Sequence, residues 1–190
     1  MSAIVVFDTD TALGRLRGAA TGDGLALLAL PGGDFETPLT RLAGRGSVRR
    51  GRHPAAAELR AWCAGRRRDC DIPLDLRLVS GFTRAVLDAL RAVPFGALVT
   101  YGELAARAGR PRAARAVGRA VGANPLPIVV PCHRVIAAGG RLGGFGGGLP
   151  LKIALLAIEG HTVVARGDRA GPDARVPGHA APRAAAVRRT

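Results

Sequence analysis

The sequence has few cysteines, and none of them stands at the spacing of a redox or zinc motif. Cys63, Cys70 and Cys132 form no CxxC pair, and the nearest histidines fit no zinc-ligand spacing. So few cysteines, and an odd number of them, cannot form a disulfide framework. The sequence therefore predicts neither a metal site nor a cofactor.

Long apolar runs are also absent. No stretch approaches the roughly 20 apolar residues that a membrane-spanning helix needs. The first ten residues, MSAIVVFDTD, contain no basic segment that leads into an apolar one. Since 48% of the 190 residues are hydrophobic, the chain can build a core. We therefore expect a cytoplasmic globular protein without a membrane partner.

Lysine and negative charge are both scarce. Lys152 is the only lysine, so arginine carries almost all of the net charge of +14. The excess is largest between residues 80 and 164, where ten basic residues are accompanied by only three acidic ones, Asp88, Glu103 and Glu159. Such a region should attract a polyanion, and the commonest is nucleic acid. The alternative is a cationic surface that contacts only solvent.

The pattern of residues predicts an α/β (α+β) fold with a small N-terminal domain of sheet and helix, residues 1–79. Short alternating apolar runs in the first 30 residues, among them 3–7 and 24–30, are typical of strands. The rest of this domain is predicted to be an exposed loop at 41–54, a helix at 55–65 and a further strand at 74–79.

From Ser80 the pattern becomes helical and predicts a second, mostly helical domain at residues 80–164. A first helix is marked by apolar residues at helical spacing, namely Phe82, Val86, Leu90 and Val93. Thr100 then begins a short helix that Gly109 ends, and Arg110-Pro111 turns the chain. A second short helix runs from about 112 to 122, so the two helices predict a helix-turn-helix.

The second of these short helices has two different faces. Its cationic face carries Arg112, Arg115 and Arg119, whereas its apolar face carries Ala113, Val117 and Val121. Such an arginine face usually contacts only solvent, but here it lies in the most basic part of the chain.

Beyond Asn124-Pro125 lie the segment VVPCHRVI, a glycine-rich loop at 139–148, and a helix from Pro150 to Gly160. That helix is apolar nearly all round and must be buried, so Glu159 needs a partner near the core. Residues 165–190 have the Ala/Pro/Gly/Arg composition of a disordered basic tail.

Cys132 and His133 are adjacent within this segment, and two interpretations are open. They are either an ordinary buried pair or a nucleophilic thiolate with a base that takes its proton. Arg134 favours the second, because an ordinary core strand would have to pair or expel its charge. Glu159 is the only acidic residue between 104 and 164 that could orient the imidazole. The spacing alone does not separate a Cys-His-Glu hydrolase from other thiolate chemistry; with the helix-turn-helix it favours thiolate chemistry on DNA.

The motif PCHRVI, preceded by AARAVGRAVGANPLPIVV and followed by GGFGGGLPLKIALLAIEG, resembles the O6-alkylguanine-DNA alkyltransferases, or methylated-DNA-protein-cysteine methyltransferases. The resemblance runs from about Phe82 to Gly160 and is loose in the N-terminal region. It implies a self-inactivating transferase that moves an alkyl group from O6-alkylguanine, and from O4-alkylthymine, to a cysteine. The expected partner is double-stranded DNA, bound through the minor groove by a protein monomer that flips the base.

The resemblance also implies catalytic roles for individual residues. Cys132 would accept the alkyl group, with His133 bridged through a water to Glu159. Asn124 would tie the helix-turn-helix to the active-site loop. Tyr101 would donate a hydrogen bond to N3 of the flipped guanine.

Arg115 would be the finger that fills the gap left by the flipped base. The other residues assigned to DNA binding are Thr83, Tyr101, Ala113, Ala114, Gly118 and Arg119. Those assigned to the substrate pocket are Pro127, Arg134, Val135, Phe145 and Gly146.

The sequence departs from the family at Phe145, where members commonly have tyrosine, and it lacks the zinc ligands of some relatives. Cys132 argues against the alkyltransferase-like proteins, which replace the acceptor cysteine and only bind damage. Two other classes remain as alternatives. A DNA-binding regulator would not need the Cys132, His133 and Glu159 set and would normally dimerise on palindromes. A Cys-His hydrolase would turn over and would not need Arg115.

Overall fold

The computed structural model of the chain describes residues 3–44, 46–164 and 174–177. Its elements are a mixture of strands and helices, as the sequence predicts. No helix in these three ranges is long and apolar enough to cross a membrane.

The N-terminal part is built on a four-stranded sheet. β1 (Ile4–Thr11), β2 (Gly14–Thr21) and β3 (Gly24–Ala29) form an antiparallel meander, which confirms the strands predicted in the first 30 residues. β4 (Val48–Arg50) pairs in parallel with β1, so the strand order is β3-β2-β1-β4. This order leaves β3 at one edge, and the chain runs from the end of β3 toward the candidate site described below.

The prediction of an exposed loop at 41–54 is partly wrong. Helix α1 (Glu36–Ala43) extends into this range, and β4 lies within it. All three residues of β4 are exposed, and the strand is held by backbone pairing to β1. A strand that buries no side chain leaves no apolar alternation in the sequence.

Helix α2 (Ala55–Cys63) is confirmed, whereas the strand predicted at 74–79 is wrong. Only Leu74 makes a bridge to the sheet, through Leu25. Asp75 explains the difference, because its carboxylate accepts hydrogen bonds from the Arg77 backbone N–H at 3.0 Å and from the Thr21 hydroxyl at 2.5 Å. These bonds favour a turn over an extended strand.

The second half of the chain is mostly helical. Its helices are α3 (Gly81–Arg91), α4 (Tyr101–Arg107), α5 (Ala114–Gly122) and α6 (Leu149–Ile158), and its two short strands are β5 (Val99–Thr100) and β6 (Val135–Ile136). α5 packs against both α3 and α4. β5 and β6 pair in parallel, which joins the start of α4 to the residues after Cys132.

Thr100 begins α4 as predicted, through a reciprocal capping box. Its hydroxyl accepts a hydrogen bond from the Glu103 backbone N–H at 3.2 Å, and the Glu103 carboxylate accepts one from the Thr100 backbone N–H at 2.7 Å. The cap fixes where α4 starts and therefore where Tyr101 stands.

One core cluster crosses the boundary predicted between residues 79 and 80, and the division into two domains stays a prediction. Its fully buried members include Leu25, Leu59, Trp62, Val86, Leu104 and Leu155. The N-terminal sheet and the helical half therefore bury apolar surface against each other.

The tail prediction for 165–190 is wrong for residues 174–177, and the other residues of that tail lie outside the described ranges. Ala174 and Val176 are buried against Leu142 and Leu156. Arg175 pairs with Val164 through two backbone hydrogen bonds of 2.9 and 3.0 Å. Ala174 and Val176, which alternate with Arg175, therefore pack against the side of α6 that carries Leu156.

Candidate active site

A cavity of about 340 Å³ opens between α5, the glycine-rich loop and the end of β3. Cys132 lies in its wall, and the side chain is 8% exposed. The predicted site residues Tyr101, Gly118, Asn124, Pro127, Phe145 and Gly146 line the same cavity. A cavity of this size over a nearly buried thiol can admit a small ring system.

Cys132 and His133, which the sequence predicts to be nucleophile and base, stand on a single turn of 3-10 helix, Cys132–Arg134. Pro131 precedes this turn, and its carbonyl accepts a hydrogen bond from the Arg134 backbone N–H at 3.0 Å. A three-residue turn points successive side chains in different directions. Cys132 therefore lines the cavity, while His133 is wholly buried behind it.

His133 and Glu159 contact each other directly, which corrects the expectation that a water bridges them. Nε2 of His133 lies 2.8 Å from Oε1 of Glu159. Because an ionised carboxylate can only accept, Nε2 carries the proton and donates it. Nδ1 of the same ring is buried and makes no hydrogen bond to any described residue. The tautomer therefore leaves Nδ1 as the position that can take up a proton.

Glu159 has the buried partner that the sequence predicts it to need. Arg134 donates to the carboxylate through Nε at 2.9 and 3.0 Å and through Nη2 at 2.7 Å, and the Gly96 backbone N–H donates at 3.0 Å. Burial alone would raise the pKa of Glu159, but the hydrogen bonds from His133 and Arg134 lower it to about 2. Glu159 is thus a permanent anion at neutral pH.

Burial shifts the pKa values of the reactive pair toward the neutral forms. It raises the pKa of the Cys132 thiol, against the opposing effects of a hydrogen bond from Asn124 and the charge of Lys152. It lowers the pKa of His133, against the opposing effect of Glu159. The resting groups are therefore a thiol and a neutral imidazole, and passage of a proton from the one to the other would not change the net charge of the site.

Lys152 is a buried amine to which the sequence analysis gives no role. It stands on α6, is 1% exposed, and its Nζ donates to the carbonyls of Val135 at 2.6 Å and Leu142 at 2.5 Å. Burial lowers its pKa to about 8, against attraction by Cys132. A single lysine inside an otherwise apolar helix is the sequence signal that could have identified it.

Asn124 connects the end of α5 to the turn that carries Cys132. Its Nδ2 donates to the Val130 carbonyl at 2.8 Å, and its Oδ1 accepts from the Leu126 backbone N–H at 3.0 Å. The loop so closed contains Ile128 at φ 73°, a conformation that a β-branched residue rarely adopts. The side chain of Asn124 therefore stabilises an unusual path that brings Cys132 to the cavity.

Tyr101 stands at the first position of α4 and reaches the cavity between α5 and the glycine-rich loop. Its ring lies beside Gly118 and Gly143. A Cβ added at either glycine would be in ordinary van der Waals contact with Tyr101. Burial raises the pKa of the phenol. Tyr101 therefore keeps its proton at neutral pH and can donate a hydrogen bond into the cavity.

The exposed face of α5 carries two of the three arginines that the sequence predicts there; the third, Arg112, is exposed but lies before the helix, which begins at Ala114. Arg115 and Arg119 are exposed, and neither forms an ion pair or hydrogen bond with a described residue. Ala113, Ala114 and Gly118 are half-buried on or next to this helix. Thr83 lies elsewhere, in a separate cavity of about 330 Å³ that also includes Ser80 and Pro125.

Two predicted pocket residues do not line the cavity of Cys132. Val135 is fully buried in β6, and the guanidinium of Arg134 is used on Glu159 and on the Val93 carbonyl. In their place the cavity includes Leu30 and Asp34, from the end of β3 and the following turn. The sequence gives no signal for these two, since the contact depends on how the sheet packs on the helices.

Trp62 is a further residue that the sequence analysis leaves without a role. It lies on α2, is 1% exposed, and its ring centroid is 5.7 Å from that of His133. Within the described residues no group of three or more His, Cys, Asp or Glu side chains is placed to hold a metal ion.

The family model of the 6-O-methylguanine DNA methyltransferase DNA-binding domain matches residues 81–161. A methylated-DNA-protein-cysteine methyltransferase of Mycolicibacterium paratuberculosis is 54% identical over 105 residues, which are 55% of this chain and 63% of that protein. One of Salmonella typhimurium is 57% identical over 83 residues, 44% of this chain and 48% of that protein. The matched region thus spans less than two thirds of these relatives.

Solved structures extend the likeness over most of the fold. The O6-methylguanine methyltransferase of Mycobacterium tuberculosis superposes with a TM-score of 0.71 and 39% identity, covering 82% of this chain and 92% of that one. The same enzyme in complex with DNA gives a TM-score of 0.72 at 38% identity and the same coverage. With a likeness this extensive, the chain belongs to the O6-methylguanine-DNA methyltransferase family.

Proposed function

We propose that this protein repairs double-stranded DNA by moving an alkyl group from O6-alkylguanine to Cys132, once per molecule. The observation that carries the proposal is a nearly buried thiol in the wall of a cavity, with a His133–Glu159 pair directly behind it. The family membership gives the substrate class. O4-alkylthymine offers the same alkyl–oxygen bond and is the second substrate that we propose.

The transfer step needs the thiolate. His133 takes up the Cys132 proton at Nδ1 by way of one water, since Nδ1 makes no hydrogen bond to the thiol. The imidazolium so formed is stabilised by Glu159, which already accepts a hydrogen bond from Nε2. The sulfur then attacks the alkyl carbon, so that an S–C bond forms as the C–O6 bond breaks. The thioether product has no easy hydrolysis, and the protein therefore stops after one transfer.

The leaving guanine carries the electron pair of the broken bond. Tyr101 lines the cavity and keeps its phenolic proton, so it can donate a hydrogen bond to N3 of the base as this charge develops. Asn124 would hold the Cys132 turn at the right distance through its two hydrogen bonds to the loop.

The substrate base has to leave the duplex before it can reach a sulfur at the depth of Cys132. We propose that α4 and α5 act as a helix-turn-helix, in which α5 enters the minor groove. Arg115 is then the finger that fills the vacated stack, Arg119 binds phosphate, and Ala113, Ala114 and Gly118 allow close approach. A single chain carries all of these residues, so we propose that the protein acts as a monomer.

The two other classes fit this site less well. A regulator without chemistry has no use for a nearly buried thiol backed by a neutral imidazole and a permanent carboxylate. A Cys-His hydrolase would turn over and has no need of Arg115, which is exposed on α5.

The test compares the wild-type protein with Cys132→Ala on duplex DNA that carries a methyl-labelled O6-methylguanine. We expect the label to become protein-bound only in the wild type, while both proteins bind the duplex with similar affinity. Label released as a small molecule would identify a hydrolase. Label that stays on the DNA with both proteins would identify a binding protein without chemistry.

A further inference from the structure

The base of the proposed mechanism is held by an aromatic side chain from the other half of the molecule. Trp62 lies on α2, next to the N-terminal sheet, and its ring is 5.7 Å from the ring of His133 at an interplanar angle of 66°. On its other side it packs against Phe95 at 6.4 Å and 76°. Both are edge-to-face geometries, which favour the contact beyond the burial of area.

The polar contacts of His133 leave its orientation only partly fixed. Nε2 is bonded to Glu159, but Nδ1 makes no hydrogen bond to any described residue. A ring held by one hydrogen bond can tilt about that bond. The indole of Trp62 lies against the ring and blocks this tilt, because it is itself fully buried and packed against Phe95.

We propose that Trp62 is a positioning residue for His133 in alkyl transfer. It keeps the imidazole in the orientation in which Nε2 donates to Glu159 while Nδ1 stays available to the Cys132 proton. It also lies close enough for its π-system to attract the imidazolium that forms when this proton arrives. This inference rests on the proposed function and adds that the N-terminal half completes the catalytic pair.

The charged and titratable groups around His133 are few. Glu159 and Lys152 belong to the α6 region, and Arg134 and Cys132 stand on the same turn as His133. On the α2 side the ring meets Trp62, which is apolar and uncharged. A change at Trp62 therefore alters how the imidazole is held without removing a charge from the site.

Trp62 is the only tryptophan of the chain, so the indole emission of the protein reports the surroundings of this one side chain, His133 among them. A protonated imidazole quenches indole emission more strongly than a neutral one. We expect the indole emission of the free wild-type protein to fall as the pH is lowered. This fall should occur at pH values below the ordinary pKa of histidine, because burial lowers the pKa of His133. His133→Gln should abolish this titration, and His161→Gln should keep it. Identical titrations of the wild type and His133→Gln would overturn the proposal.

The effect on transfer is measured as a single-turnover rate at saturating methylated duplex, with the affinity for DNA measured separately. Trp62→Leu removes the ring and should slow transfer by roughly tenfold, a part of the 10²–10⁴ that a general base contributes, with unchanged affinity. Trp62→Phe keeps an aromatic ring and should recover most of the rate. Phe7→Leu removes a buried ring from β1 and should leave the rate unchanged.

Three outcomes overturn the inference: equal rates for Trp62→Leu and Trp62→Phe, a loss that appears only in DNA affinity, or an equal loss in Phe7→Leu. If Trp62→Leu does not fold, the emission titration of the wild type and the rate of Trp62→Phe still decide. Failure of the wild type to take up any alkyl group would instead reject the proposed function, whatever the titration gives.

Discussion

His133 and Glu159 are 26 positions apart in the chain, and their side chains meet at 2.8 Å with no exposed surface on either. The Glu159 carboxylate also accepts hydrogen bonds from Arg134. One anion therefore orients the proposed base, His133, and neutralises the positive charge of Arg134. Everything that this pair does depends on Glu159 remaining ionised.

Acid should therefore destabilise the protein through Glu159. Its pKa is about 2 in the folded state against an ordinary value of 4.5. Its contribution is complete above the unfolded value and is lost as pH falls from there toward about 2. Between pH 7 and pH 3 we expect the free energy of unfolding to fall by about 2 kcal/mol more in the wild type than in Glu159→Gln. Urea unfolding of both proteins at the two pH values measures this difference; parallel losses would reject it.

Lys152 should also make the free energy of unfolding rise with pH, but at the alkaline end. Its pKa is about 8 in the folded state against 10.5 for a free lysine. Between these values the unfolded chain binds more protons, so stability rises with pH. From pH 7 to pH 9 we expect this rise to be about 1 kcal/mol larger in the wild type than in Lys152→Met. Denaturant unfolding at both pH values tests it, and an equal change in the two proteins would show that the amine does not titrate in this range.

Arg115 and Arg119 are matched exposed arginines on α5, and the proposed mechanism gives them different roles. Arg115→Ala should slow repair of duplex DNA strongly, because the unstacking cost of a few kcal/mol loses its compensation. Its reaction with free O6-benzylguanine should hardly change. Arg119→Ala should lower affinity modestly and reduce the salt slope by about one. Single-turnover rates on both substrates decide; equal losses on both for Arg115→Ala would mean that it supports the fold or the pocket.

Gly147 and Gly146 are neighbours in the cavity wall and differ in the space around them. A Cβ on Gly147 would lie 2.9 Å from Leu151, 3.1 Å from Leu30 and 3.2 Å from Phe145, whereas one on Gly146 would meet nothing within 4 Å. Gly147→Ala should push the ends of these three side chains aside and destabilise the protein by about 1 kcal/mol, the low end of overpacking costs.

The same change should slow the reaction with free O6-benzylguanine more than that with free O6-methylguanine, since the displaced side chains line the cavity. Gly146→Ala is the control and should leave stability and both rates close to wild type. Unfolding curves and rates on the two bases make the comparison. Equal behaviour of the two variants would show that Leu30 and Phe145 do not set the size of the pocket.

The helices of the second half could be predicted because their signals are local. Thr100 begins α4 as the sequence predicts, and Arg115 and Arg119 on α5 are exposed as their spacing indicates. The need of Glu159 for a partner was also readable, since a carboxylate at the end of an apolar helix must be paired. The link to His133 was predicted as well, whereas the pairing with Arg134 was not, because it depends on how the turn at Cys132–Arg134 packs against the end of α6.

The other differences between the predicted and the observed structure also arise from contacts that the residue pattern does not show. β4 is an exposed three-residue strand without an apolar face, so its sequence looks like a loop. The Asp75 carboxylate accepts hydrogen bonds from the Arg77 backbone N–H and the Thr21 hydroxyl, and these bonds favour a turn after Leu74 over a strand. Leu30 in the cavity wall and Trp62 beside His133 depend on how the sheet and α2 pack on the helices. Residue pattern alone carries no information on that packing.

Cys63 and Cys70 are the other two thiols of the chain, and their surroundings differ from those of the proposed acceptor, Cys132. Burial raises the pKa of Cys63, and it raises the pKa of Cys70 to about 12. The proposed mechanism assigns a base to neither of them. Cys132 differs from both in lining the cavity with His133 next to it.

The most direct measurement is the intact mass of the protein after it is mixed with an excess of duplex DNA that carries O6-methylguanine, followed by peptide mapping. We expect every active molecule to gain one methyl group, on Cys132, and to gain no more however long the mixture stands. Methyl groups on Cys63 or Cys70, or demethylation of more DNA than there is protein, would contradict the account.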